Sequence, residues 1–89
     1  MEQETPKKSM AYRTSDLYFA AYLRAMNVPF METQREGKRV FFVFSKTPEI
    51  RSMKKSYFNG TSNVGALRFA NEIRNMKSLT HVSMMEGDA

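Results

Sequence analysis

Residues 40–44 place apolar side chains on both faces of one short segment, and this constrains the fold more than any other feature. The run reads Val-Phe-Phe-Val-Phe, and its β-branched and aromatic residues are typical of a β-strand. A strand with one solvated face alternates apolar and polar residues, which this segment does not do. Both faces must therefore be covered by helices, by a third strand at residues 10–13, or by a second copy of the chain.

The sequence on either side of this run predicts a β-hairpin. Residues 28–35 and 38–45 form its two strands, and Glu36-Gly37 forms the turn, where Gly37 supplies the positive φ that a tight turn needs. A lone two-stranded hairpin is marginally stable in water. The hairpin therefore has to pack against the remaining segments of the chain.

Three helices are predicted around the hairpin. The first spans residues 16–26, begins at a hydroxyl cap from Thr14 or Ser15, and is apolar on one side and alanine-rich on the other. The second spans residues 48–58 and stops at Asn59-Gly60, and the third runs over residues 64–77. The predicted fold class is α+β, in the order helix, β-hairpin, two helices, with room for a short N-terminal third strand.

The length of the chain fits one domain. Eighty-nine residues bury enough surface for a single modest core. We expect residues 1–9 to be a flexible leader, residues 10–79 to be the α+β domain, and residues 80–89 to be a flexible tail, because both ends are polar.

Several short strings combine capping, turn and packing residues. They are Tyr12-Arg13-Thr14-Ser15-Asp16-Leu17 with Ala20 and Ala21, Gly37-Lys38-Arg39-Val40-Phe41-Phe42-Val43-Phe44, Tyr57-Phe58-Asn59-Gly60, Phe69-Ala70 and Lys77-Ser78-Leu79. Together they resemble a family of short bacterial proteins classed only as a domain of unknown function. The resemblance spans residues 12–79. It supports the fold prediction and implies no catalytic or binding residue.

The net charge of the chain is concentrated in residues 35–55. This segment has seven basic and two acidic residues, so it carries the whole net charge of +5, while the acids and bases on either side cancel. Its basic residues are the candidate nucleic-acid-binding residues: Arg35, Lys38, Arg39, Lys46, Arg51, Lys54 and Lys55. A positive surface of this kind gathers anionic partners or keeps a small protein soluble.

Two functions from different classes follow from these features. The first is a small non-enzymatic accessory protein that binds DNA or RNA phosphates through residues 35–55, with Phe41 or Tyr57 as a stacking platform. The second is a protein–protein interaction module that self-associates, for example as a homodimer, through the doubly apolar strand or the alanine face of the first helix. In that second interpretation the basic residues are only a solvated flank beside core aromatics.

Catalytic and metal-binding chemistry is not predicted. The chain has no cysteine, and its one histidine, His81, stands at the start of the expected tail. The glutamates of the basic segment are scattered, so they do not form a metal site. We therefore predict no enzyme activity, no cofactor and no metal. The sequence also has no signal peptide and no membrane span, which favours a cytoplasmic location.

Overall fold

A computed structural model of the protein describes the backbone of residues 11–87 and the side chains of residues 11–85. The elements in chain order are β1 (Ala11–Thr14), α1 (Leu17–Ala25), β2 (Phe30–Glu36), β3 (Arg39–Ser45), α2 (Glu49–Asn59) and α3 (Ala66–Gly87). The predicted α+β class is confirmed. The element order differs from helix, hairpin, two helices because a strand precedes α1.

The three strands form one antiparallel sheet in the order β1-β3-β2. The doubly apolar strand is therefore central, and β1 corresponds to the third strand considered for residues 10–13. In the register, Tyr12 pairs with Phe44 and Gln34 pairs with Phe41. An irregularity between Phe30 and Glu32 interrupts the pairing of β2 with β3.

One face of β3 forms the centre of the hydrophobic core. Phe42 and Phe44 are fully buried and pack with Phe19 and Leu23 of α1 and with Met76 of α3. The alternating side chains of a strand point to opposite faces, so Phe41 and Val43 lie on the other side of the sheet. The helices therefore cover one face of β3.

A polar layer centred on Arg13 lies on the opposite face of the sheet. The Arg13 guanidinium sits 4.0 Å from the centre of the Phe41 ring. Its Nη1 donates to Gln34 Oε1 at 3.2 Å and to Glu36 Oε2 at 3.1 Å, so the side chain reaches from β1 across β3 to β2. Val43 beside it is only 2% exposed. Phe41 is half-buried, so the second apolar face is partly covered within the chain.

The start of α1 corrects the predicted cap. Asp16 is the cap residue, and its Oδ1 accepts a hydrogen bond from the Phe19 amide at 3.0 Å. The hydroxyl of Thr14 instead accepts from the Asp16 amide at 3.1 Å. A carboxylate suits this position because it satisfies a first-turn amide and faces the positive end of the helix dipole.

The alanine face of α1 is buried inside the domain. Ala20 and Ala21 are inaccessible, Ala25 is 5% exposed, and α1 packs against α3. Small side chains allow such close helix packing. Neither this face nor the helix-covered side of β3 is open to a second copy of the chain.

The hairpin turn and the end of α2 form where the sequence places them. Gly37 in the hairpin turn has φ 63°, and Gly60 ends α2 with φ 74°, a left-handed conformation that glycine adopts without steric cost. Helix α2 begins at Glu49, one residue later than predicted, with Pro48 in the cap position.

Helix α3 is longer than predicted. It was expected to end near residue 77 with a tail from residue 80, but it continues to Gly87. The buried stripe of this helix continues past residue 77 at helical spacing, from Met76 to Ser83 and the half-buried Met84. The polar composition after Leu79 concealed this stripe. The leader predicted for residues 1–9 lies outside the described residues.

Candidate nucleic-acid interface

A groove with a volume of about 730 Å³ lies between the start of α2 and the sheet. It is lined by Tyr12, Lys46, Thr47, Pro48, Ile50, Arg51, Lys54 and Lys55. Four of the seven predicted basic residues are in this set, and among the described residues that line the groove none is acidic. We call this feature the basic groove.

Helical geometry places three of the four cations on one flank of α2. Arg51, Lys54 and Lys55 are three and four residues apart, the spacing of neighbours on a helix surface, and all three are exposed. Ile50 is 4% exposed and anchors the helix in the core, which fixes the direction of this flank. Lys46 follows the end of β3 directly and supplies the fourth charge from the sheet side.

The bottom of the basic groove is apolar. Tyr12 is half-buried, and its ring meets Phe19 edge to face with centroids 6.3 Å apart. Ile50 and Pro48 complete this floor. Helix α2 has no side-chain cap, but the Ile50 amide donates to the Thr47 carbonyl at 3.2 Å and Glu49 stands in the first turn, so the helix dipole is offset there and the positive field of the groove comes from its four cations.

Two other predicted residues lie at the end of β3 that is far from the basic groove. Lys38 and Arg39 form the exposed hairpin tip beside a smaller cleft of about 350 Å³. Arg39 and Lys46 are separated by the length of β3, about 20 Å at the usual rise per residue. The structure therefore does not bring these two cations to the basic groove.

Arg35 has a structural position. Its side chain lies on the helix side of β2, where Nε donates to the Gly37 carbonyl at 2.7 Å and Nη1 donates to the Met84 carbonyl at 3.2 Å. Met84 is in the last turn of α3, so the guanidinium meets carbonyls at the negative end of that helix. Sequence charge alone does not distinguish this residue from the exposed lysines.

The rings predicted as stacking platforms are not at the groove. Phe41 lies on the opposite face of the sheet under Arg13. Tyr57 is half-buried, with its ring centroid 5.3 Å from that of Phe19. Burial, then the charge of Asp16, then Tyr18 raise the pKa of the Tyr57 hydroxyl.

Tyr12 and Phe58 were not among the predicted binding residues. Tyr12 is placed at the groove by the pairing of β1 with β3, which the sequence offered only as one of three alternatives. Phe58 is 59% exposed and stands seven residues after Arg51 on α2, but its ring packs 5.7 Å from that of Phe19 and does not line the groove. That seven-residue spacing was readable in the sequence.

Other kinds of site are not evident in the described part of the chain. Within it, no three His, Cys, Asp or Glu side chains come together as a metal ion would require, and His81 is exposed on α3. No helix there is long and apolar enough to cross a membrane.

Arg24 of α1 forms an ion pair with Glu72 of α3, with Nε and Oε1 3.4 Å apart.

Comparison with known proteins gives a family. No curated protein and no solved structure matches the chain. A family model matches residues 9–82, a span that contains every strand, α1, α2 and most of α3. The resemblance drawn from the sequence motifs is thus confirmed, and the chain belongs to the family described as Domain of unknown function (DUF5659).

Proposed function

We propose that this protein is a small non-enzymatic accessory protein that binds nucleic acid through phosphates at the basic groove. The observation that carries the proposal is the convergence of Lys46, Arg51, Lys54 and Lys55 on one groove whose described lining has no acid. Cations released from a nucleic-acid backbone drive such binding, and the contacts position the protein without reading sequence.

The range of electrostatic forces favours the basic groove over the hairpin tip. The screening length at physiological salt is about 8 Å, so charges within one groove act on the same phosphates. Lys38 and Arg39 lie about 20 Å away along β3, beyond that length. They add to general attraction but not to the same contacts.

The chemistry of the groove supports binding rather than catalysis. Its described lining offers hydroxyl groups from Tyr12 and Thr47 but no imidazole or carboxylate to act as a general base. The cysteine-free sequence is compatible with a reducing compartment, so we place this function in the cytoplasm.

The alternative of a self-associating interaction module has less support. It named the doubly apolar strand and the alanine face of α1 as contact surfaces. Phe44 and Ala20 are both inaccessible within the single chain, and β3 has a partner strand on each side. Self-association would have to use the half-buried Phe41 side of the sheet or another exposed surface.

The test is fluorescence anisotropy with labelled oligonucleotides at about 50 mM salt, a concentration at which phosphate contacts are strong. The double variant Lys54→Glu, Lys55→Glu should bind at least about tenfold more weakly than the wild type, because half of the groove charge is reversed. The double variant Lys38→Glu, Arg39→Glu is the matched control, since it changes the net charge equally but not at the groove. Equal losses in the two variants would show that binding follows net charge alone, and no binding by the wild type would refute the proposal.

A further inference from the structure

We infer that the ligand of the basic groove is single-stranded nucleic acid, with one base lying against the ring of Tyr12. This inference rests on the proposed function and specifies its ligand. The basis is the combination of a cationic rim with an aromatic and aliphatic floor in one groove. Phosphate binding explains the four cations of the groove, but it does not explain its aromatic and aliphatic lining residues.

The floor suits the flat face of a base. Tyr12, Ile50 and Pro48 line the groove together with the four cations, and because Ile50 is only 4% exposed the accessible apolar surface comes from the Tyr12 ring and Pro48. In a duplex the base faces are stacked on each other and only their edges are accessible, so a duplex resting on the cationic rim would leave Tyr12 unused. In a single strand an unstacked base can turn inward onto an aromatic ring while its phosphates stay on the rim.

The size of the groove agrees with a single nucleotide unit. Its volume of about 730 Å³ falls within the range of pockets that enclose one small ligand, roughly 300 to 1,000 Å³.

Tyr12 is held in place before any ligand binds. It pairs with Phe44 in the sheet and meets Phe19 edge to face, so its ring loses little freedom on binding. Of the exposed aromatic residues, Tyr18 on α1 is 49% exposed and does not line the groove, which makes it a control for ring removal.

The experiment compares three labelled probes of one length: a thymidine strand, a strand of the same backbone without bases, and a duplex. The thymidine strand should bind about fivefold to hundredfold more tightly than the abasic strand, as stacking of one base predicts. Tyr12→Leu should remove most of that difference, Tyr12→Phe should keep it, and Tyr18→Leu should not alter it. Thermal unfolding confirms that each variant is folded.

The outcomes separate this inference from the proposed function. Equal affinity for the thymidine, abasic and duplex probes, still weakened by Lys54→Glu, Lys55→Glu, would overturn the inference and leave phosphate binding at the groove intact. The same holds if Tyr12→Phe loses as much affinity as Tyr12→Leu, because the ring would then not be the contact. Failure of the wild type to bind any probe would overturn both.

Discussion

Arg35 on β2 donates a hydrogen bond from Nη1 to the carbonyl of Met84, 3.2 Å away in the last turn of α3. The last four carbonyls of a helix have no partner within the helix, and a cation near them is stabilised by the helix dipole. This contact joins the end of the hairpin to the end of the longest helix. It explains why the charge of Arg35 belongs to the fold rather than to the basic groove.

Replacing Arg35 with alanine should lower the free energy of unfolding by about 1 to 2 kcal/mol, the usual size of a half-buried hydrogen bond from a charged group. Amide exchange should rise most in residues 80–87, which lose their contact with the sheet. Arg39→Ala, which removes an exposed cation from the same hairpin, should change stability by less than about 0.5 kcal/mol. Equal effects of the two variants in urea denaturation would contradict this role for Arg35.

The central position of β3 predicts a large cost for losing its buried rings. Phe42→Ala or Phe44→Ala should each destabilise the protein by about 3 to 5 kcal/mol, because each leaves a cavity in the core. Phe58→Ala should cost less, about 1 to 2 kcal/mol, since its ring is 59% exposed although its centroid lies 5.7 Å from that of Phe19. Chemical denaturation measures all three. Similar midpoints for Phe42→Ala and Phe58→Ala would contradict the assigned core.

The raised pKa of Tyr57 predicts a loss of stability in alkaline solution. The folded protein holds the phenol proton more tightly than the unfolded chain, whose tyrosine pKa is about 10. The stability that the folded protein gains from this tighter proton binding is therefore complete below about pH 10. It is lost as the pH rises from there through the higher pKa of the folded state. The unfolding free energy of the wild type should fall more steeply above about pH 10 than that of Tyr57→Phe. Parallel curves would show that Tyr57 titrates normally.

Salt dependence gives a count of the groove contacts. For a single strand the logarithm of the affinity falls by roughly 0.7 per neutralised phosphate, so four cations predict a slope of about −3 against the logarithm of salt concentration. The double variant Lys54→Glu, Lys55→Glu keeps two of the four cations, so its slope should be no steeper than about −1.4. Titrations at several salt concentrations give both values. An unchanged slope in that variant would place the contacts elsewhere.

The sequence alone determined most of the local structure of this protein. Local backbone chemistry specified the turn at Gly37, the helix stop at Gly60 and the α+β class, because capping, turn residues and apolar period depend on near neighbours. It also located the basic flank of α2, since Arg51, Lys54 and Lys55 follow helical spacing.

Tertiary structure decided what those local elements are used for. Only the pairing of β1 with β3 brings Tyr12 to the basic groove. Only the packing of α3 against the sheet brings the Met84 carbonyl within hydrogen-bonding distance of Arg35. The buried stripe of α3 beyond Leu79 is likewise defined by the surface it covers. Each of these depends on contacts between residues far apart in the chain, and spacing along a sequence carries no direct record of such contacts.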